Sequence, residues 1–376
     1  MKLSIKSLAL ISFCIFSLSA KKHSYNFECG VLCPAMPCFS KDNYCCGSPF
    51  ASASVLFWQT KQGNMDFAAK NEGAKNLIPN LTTLNFEAIT PDFIWKTGVK
   101  VRLGYHIPVD GIDVQAKWTY FKGGFTRKKK NVFSTVDVAG QGIIPLWYYQ
   151  FLRNVNVSPR YGYASGNWQM SFNSIDLEFG RYSYLKPKVK IRPHAGLKIA
   201  WINQTYKVEY ERGNLVTGSG GSFQLISSNF VMKNNSAGIG PRVGIDSRWK
   251  LCWGFSLIGD GAFSLVYDYF RVSKDQIDFI FDNTLGELLT PTALLSEKFS
   301  KFQPVLEIGL GLDWGTCFCL CNRKNYIGFT IAYDTQYWWS QNQMRRLVNT
   351  VSSGDTLVNN GDMQPHGLSV SARFDF

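Results

Sequence analysis

From residue 51 onward, apolar and polar residues alternate with a period of two. Val99, Val101, Leu103, Tyr105 and Ile107 alternate with Lys100, Arg102, Gly104 and His106. Ile112, Val114, Ala116, Trp118 and Tyr120 are set against Asp113, Gln115, Lys117 and Thr119. The run from Val189 to Trp201 repeats the pattern, with Lys190, Arg192, His194, Gly196 and Lys198 on the opposite parity. Leu306 to Trp314 does so against Glu307, Gly309, Gly311 and Asp313, and Leu368 to Phe376 against Ser369, Ser371, Arg373 and Asp375. Side chains of a strand point to opposite faces in turn, so each run predicts a strand with one apolar and one polar face.

A soluble sandwich alternates in the same way. Three features favour a transmembrane β-barrel instead. The polar face carries glycines and charges of both signs, as a wet interior would. The runs are about ten residues long, the span of a tilted strand through a bilayer. Aromatic residues gather near strand ends, at Trp95, Trp118, Tyr120, Trp168, Trp201, Trp249, Tyr267, Tyr269 and Tyr337 to Trp339. Such rings suit membrane interfaces, where an amphipathic side chain is half wet. The last residue is Phe376, with Phe374 on the same face. That ending resembles the insertion signal that outer-membrane barrels present to their assembly machinery.

Tight connections are expected at 107–111, 184–188, 248–252 and 317–323, and long ones near 61–91, 123–166, 206–236, 271–301 and 342–365. Short turns face the periplasm and long loops the outside. The fold class is therefore all-β, an antiparallel barrel with an even number of strands, about 10–14. Ten strands are expected near 51–60, 92–107, 111–122, 167–183, 188–205, 237–250, 252–270, 302–317, 323–341 and 365–376. Further hairpins are candidates at 62–69 and 224–234, and a phase slip near Asn173 and Ser174 predicts a bulge.

Several stretches are similar to the Legionella-type major outer membrane protein family, which also has members in environmental chlamydiae. They include SASVLFWQ (52–59), DFIWKTGVKVRLGYHIPVDGIDVQAKWTYF (92–121), IRPHAGLKIAWINQTY (191–206), GIGPRVGIDSRW (238–249) and LSVSARFDF (368–376). The resemblance covers nearly everything from residue 51 on, but not the segment 21–50 or the loops at 123–166 and 271–301. It implies an exported outer-membrane barrel with porin activity, and it brings no catalytic residues.

Residues 1–20 read as a secretory signal peptide, with Lys2 and Lys6, an apolar stretch from Leu8 to Leu18, and Ser19-Ala20 before the cleavage point. Residues 21–50 form a cysteine-rich segment ahead of the 51–376 barrel. Export places the cysteines in an oxidising setting. The candidates for disulfides are Cys29, Cys33, Cys38, Cys45, Cys46, Cys252, Cys317, Cys319 and Cys321. The topology puts all nine on the periplasmic side. They are expected to form a disulfide-linked rim, either within the chain or to envelope proteins or a second copy; an odd number leaves at least one thiol over. No metal is expected: His23 is the only nearby histidine, and no Cys-x-x-Cys pair occurs.

The net charge is +13, or +11 once Lys2 and Lys6 are removed. Nucleic acid is not an expected partner of an exported barrel. The charges divide between strands. The expected pore-lining residues are Lys100, Arg102, Lys117, Lys190, Arg192 and Lys198 from early strands, and Asp260, Asp268, Glu307, Asp313 and Asp334 from later ones. Opposed walls of this kind would set a transverse field across an opening. In a narrow barrel the same charges would pair and fill the interior. Asp113, Asp176, Glu178, Arg242 and Asp246 depart from the division. The run Arg127 to Lys130 is expected in the 123–166 loop, as a solvated tip or a site for anionic glycans.

Of four histidines, only His366, with Asp362 near it in sequence, is expected at the outer end; no Gly-x-Ser-x-Gly motif occurs. No enzyme activity and no cofactor are expected. The expected function is passive diffusion of small hydrophilic solutes, with lipid and the assembly machinery as partners. The alternative is an adhesin or structural envelope protein with a closed lumen.

Overall fold

The structure is a computed structural model, and it describes residues 48–78, 81–108, 111–130, 142–147, 160–213, 215–218, 221–320, 323–350, 353–358 and 360–376. The expected signal peptide at 1–20 and the cysteines from Cys29 to Cys46, as well as Cys321, lie outside the described residues. The strands in chain order are β1 (Ser48–Gln62), β2 (Ala68–Ile78), β3 (Leu81–Ile89), β4 (Lys96–His106), β5 (Ile112–Lys130), β6 (Gly142–Pro145), β7 (Tyr161–Arg181), β8 (Ser183–Lys186), β9 (Val189–Gly213), β10 (Leu215–Gly218), β11 (Gly221–Lys250), β12 (Phe255–Asp282), β13 (Glu287–Leu289), β14 (Thr292–Leu320), β15 (Arg323–Asn342), β16 (Arg345–Thr350), β17 (Ser353–Val358) and β18 (Gly361–Asp375). No helix among the described residues is long and apolar enough to cross a membrane.

Ten of these strands close a barrel. Neighbours pair antiparallel in the order β1, β4, β5, β7, β9, β11, β12, β14, β15, β18, and β18 returns to β1. The closing register runs from Phe50↔Asp375 to Gln62↔Met363. Full closure leaves no wall strand with an unpaired edge, which a bilayer requires because lipid cannot satisfy backbone groups. The final residue is tied in as well: the Phe376 amide donates to the Pro49 carbonyl at 3.0 Å.

All ten expected wall strands are present, but several run much further at the long-loop end. β11 begins at Gly221, β12 continues to Asp282 and β14 begins at Thr292. Much of the expected loops at 206–236 and 271–301 is therefore strand. The segment 224–234 is no separate hairpin; it is the upper part of β11, paired with β9 and β12. A real extra hairpin lies next to the first candidate, as β2 with β3; it is not part of the closed wall, and the chain entering it is buried against the inward Tyr206 and Tyr210. The basic run at Arg127 to Lys130 is likewise on a strand, where Lys130 pairs with Tyr163. Arg127 is held there by Asp92 at 2.9 Å and by the Thr90 carbonyl at 2.6 Å.

The bulge expected at Asn173 and Ser174 is absent. β5 and β7 stay in register through Thr119↔Ser174 and Tyr120↔Asn173. What changes there is the surroundings. Below this point Leu177 and Phe179 face out and Asp176 and Glu178 face in; above it Asn173 and Ser171 face out and Phe172, Met170 and Trp168 are buried inside. β9 does the same. Leu197 and Trp201 face out over buried Lys198, whereas beyond Asn203 the outward residues are Thr205, Lys207 and Glu209 over buried Tyr206, Val208 and Tyr210.

The barrel thus has two halves. Near the short turns it is apolar outside and charged inside, the pattern of a wall in lipid. Near the long loops β7 and β9 are polar outside and apolar inside, the pattern of a water-soluble β-structure, whereas β12 buries Lys274, Gln276 and Asp278 and exposes Ile277 and Phe281 there. From Val189 to Trp201 there are twelve steps. At about 3.3 Å each and a tilt near 40° these rise roughly 30 Å, close to the apolar band of a membrane barrel.

Candidate functional site in the barrel interior

The inward parity of each wall strand carries the chemistry. In the membrane half, β5 offers Asp113 and Lys117, β7 Asp176 and Glu178, β9 Arg192, His194 and Lys198, β11 Arg242 and Asp246, and β14 Glu307. They form one ion-pair network. Arg192 reaches Asp113 at 2.8 Å, Asp246 at 2.9 Å and Glu178 at 3.1 Å. Arg242 binds Glu307 at 2.9 Å and Glu178 at 3.1 Å. Lys198 bridges Asp176 and Glu307 at 2.6 and 2.5 Å, and Lys117 lies 3.1 Å from Asp176. Gly180 leaves room for the Arg192 guanidinium; a Cβ there would sit 2.6 Å from Nε. The residues that break the sequence division between basic and acidic strands are the centre of this network.

Glu178, His194 and Asp246 place one ligand atom each within 4.8 Å of one another. A metal there would compete with Arg192, which already holds both carboxylates.

Beside the network, Lys100 pairs with Asp334 at 2.6 Å. Lys100, Arg102, Asp260, Asp313, Asp334 and Arg373 line a polar cavity of about 130 Å³. Towards the short turns, Arg248 pairs with Asp313 at 3.0 Å, and Lys190 lies 3.8 Å from the Tyr182 ring. Arg373 stacks on Phe50 at 4.3 Å. Asp268 is buried further out, on β12 opposite Lys301. All eleven charged residues singled out from sequence therefore sit on the inward parity. Early-strand cations meet late-strand anions in pairs such as Lys100 with Asp334 and Lys198 with Glu307.

Above the charges lies a layer the sequence reading missed. Trp58, Phe121, Phe172, Ile202, Val266, Val305, Trp338 and Met363 belong to one buried cluster, and every wall strand except β4 contributes to it. Phe172 meets Trp338 edge-on at 5.6 Å, and Trp58 lies 5.8 Å from Phe121. The two layers touch: Lys100 lies 5.5 Å from the Trp58 ring and Lys198 5.7 Å from Trp338. A desolvated ammonium is stabilised by a ring face at such a distance.

Trp168 and Trp338, expected in the interfacial belts, are fully buried in this interior. The signal that could have placed them is parity, since Trp338 shares a face with Asp334 and Trp168 with Asp176. Trp95, Trp118, Trp201, Trp249, Tyr267 and Tyr269 are exposed on the outward face. Phe374 and Phe376 pack together at 4.7 Å beside the short-turn end. His366 does not meet Asp362: its Nδ1 lies 3.2 Å from the Gln364 carbonyl, while Asp362 accepts from the Ser340 amide at 2.7 Å. Cys252 is an exposed free thiol and Cys317 is disulfide-bonded.

Several solved outer-membrane structures share the broad shape. The outer membrane protease OmpT of Escherichia coli is 10% identical, with 88% of this chain and 96% of that one covered and a TM-score of 0.32. A major outer membrane protein of Thermus thermophilus is 10% identical, with 88% and 99% covered and a TM-score of 0.27. The toluene transporter TodX of P. putida is 10% identical, with 92% of each chain covered and a TM-score of 0.24. None of these carries a functional argument at such identities and scores. No curated protein matches the sequence. A family model does, over residues 47–376, described as Legionella pneumophila major outer membrane protein precursor. With its closed barrel and lipid-facing band, the chain belongs to that family and is a protein of the bacterial outer membrane.

Proposed function

We propose that the protein is a structural, surface-presenting barrel of the outer membrane whose interior is sealed at rest. The observation that carries this reading is the buried layer of Trp58, Phe121, Phe172 and Trp338 lying across the interior above the ion pairs. A water-filled pore needs a continuous wet path, and small barrels are instead filled by their own side chains. The family description as a major outer membrane protein fits an abundant envelope component. The reading includes no enzymatic step.

A second reading, a narrow channel for small hydrophilic solutes, is favoured by the charged cavity around Lys100, Arg102, Asp260 and Asp334. The aromatic layer would be its gate and the charged walls its filter. Planar-bilayer recording separates the two. The sealed reading expects no steady unit conductance from purified protein, while W58A/W338A conducts. Stable wild-type conductance, with a reversal potential set by ion gradients, would establish the channel instead.

The proposal extends to cross-linking on the periplasmic side, supported by the exposed Cys252 thiol at the turn between β11 and β12. Non-reducing electrophoresis of intact envelopes tests it: a reducible ladder is expected, and a purely monomeric band would exclude it.

A further inference from the structure

We propose that Lys207, Lys233, Arg271 and Lys298 form an outward docking strip for phosphate-bearing lipid headgroups of the outer leaflet. The proposal rests on the membrane placement of the wall and is independent of whether the interior conducts.

The strip lies at the upper border of the lipid-facing band on four neighbouring strands. On β12 the outward residues are Tyr267, then Tyr269, then Arg271, so Arg271 is the first position beyond the aromatic belt. Its guanidinium lies 5.4 Å from the Tyr269 ring. Lys298 of β14 is directly opposite Arg271, and Asn235 of β11 is opposite on the other side. Lys233, the next outward residue of β11, faces Ser273 on β12 and Thr205 on β9. Lys207 follows Thr205 on the outward face of β9. All four cations are exposed.

Two cations directly opposed across a strand pair repel, and the pairing costs stability unless an anion is shared. Among the described residues, none of the four is in an ion pair. Of the outward acids, Asp275 lies in the row of Lys207 through Val231 and Glu209 follows Lys207 on β9, whereas Arg271 and Lys298 face each other lower on the wall with no acid between them. The neutral neighbours Asn235, Ser273 and Thr205 add hydrogen-bond donors. Arg271 supplies a planar fork suited to phosphate oxygens, and the lysines supply point charges.

The apolar surface just below settles the source of the phosphate. Tyr267 and Phe302 are 52% and 64% exposed, with their rings 5.1 Å apart. A free anion would have no use for that surface; a lipid would lay its acyl chains there with its headgroup against the strip.

The test uses the full-length protein in phosphatidylcholine nanodiscs containing phosphatidic acid, with retained lipid read by native mass spectrometry. Wild type is expected to retain phosphatidic acid above its bulk fraction. K207Q/K233Q/R271Q/K298Q is expected to lose that enrichment by at least about fivefold, the effect of one basic residue near an anionic surface. K61Q/K122Q, which changes outward cations on β1 and β5, is expected to keep it. Heat-modifiable migration on gels confirms that each variant is folded. Unchanged enrichment in the fourfold variant, an equal loss in K61Q/K122Q, or displacement of the lipid by inorganic phosphate would each overturn the proposal.

Discussion

Lys100 and Asp334, 234 residues apart in sequence, meet inside the barrel with Nζ 2.6 Å from Oδ2. β4 and β15 are separated in the wall by β1 and β18, so the contact bridges around the closure of the barrel. The ammonium also sits beneath Trp58, which makes this pair the joint between the charged and the aromatic layers. Lys100→Ala leaves a largely buried carboxylate without its cation, and a loss of about 1–3 kcal/mol is expected. Denaturant midpoints of the two single variants and K100A/D334A check it. The double variant should lose less than the sum, because one deletion already breaks the contact.

Glu178 should be far more sensitive than a surface carboxylate. It faces Arg192 and Arg242 at 3.1 Å each and Lys117 at 3.5 Å. Glu178→Gln keeps the shape and removes the charge shared by three cations, at a cost of about 3–5 kcal/mol. Glu297→Gln breaks only the 2.7 Å pair with Arg345, in which the Glu297 side chain is 43% exposed. A loss below about 1 kcal/mol is expected there. Equal midpoint shifts in the two variants would contradict the picture of a single buried network.

Trp338→Ala empties the site where Phe172 and Lys198 meet the indole. Large-to-small changes of a buried tryptophan cost about 3–5 kcal/mol. Thermal unfolding of folded protein, followed by gel migration, provides the measurement.

The border between the halves can be located by placing arginine along β9. Leu197→Arg lies near the middle of the apolar band, where an arginine on the lipid face costs about 2–4 kcal/mol. Asn203→Arg lies just past Trp201, and there the cost should fall to about 0–1 kcal/mol. Equal costs at the two positions, measured by unfolding in lipid, would move the border.

Cys252 reports orientation. As an exposed cysteine at a short turn, it should react, after reduction of any disulfide, with a membrane-impermeant maleimide only once the outer membrane is permeabilised. Labelling on intact cells would place the short turns outside.

The wall was legible in the sequence because period-two alternation survives the change of solvent. Val189 to Trp201 or Leu306 to Trp314 shows which face meets lipid without further help. The upper half was hidden for the same reason. Where β7 leaves the bilayer its two faces exchange roles, so Phe172 and Asn173 look like a slip in phase although the backbone is regular. The charged interior could be named residue by residue, but its pairing depends on closure. Asp176 and Lys198 sit on adjacent strands, yet Glu307 reaches Lys198 only because β14 curves round to face β9. For the aromatic layer the two sequence signals conflict: position along the strand puts Trp168 and Trp338 in the interfacial belts, whereas their parity puts them inside, and parity wins.

The exchange of faces also fixes the depth at which the barrel rides. Raising β9 by one pair of residues would lift Trp201 into water, and lowering it would carry Asn203 and then Thr205 into hydrocarbon. Either movement is penalised on β7 and β9 together, so vertical sliding of this side of the wall is a costly response to a thicker or thinner bilayer. The surrounding lipid must stretch or thin to meet the protein. The barrel would therefore act as a local gauge of membrane thickness, gathering around itself the lipids whose length matches its wall.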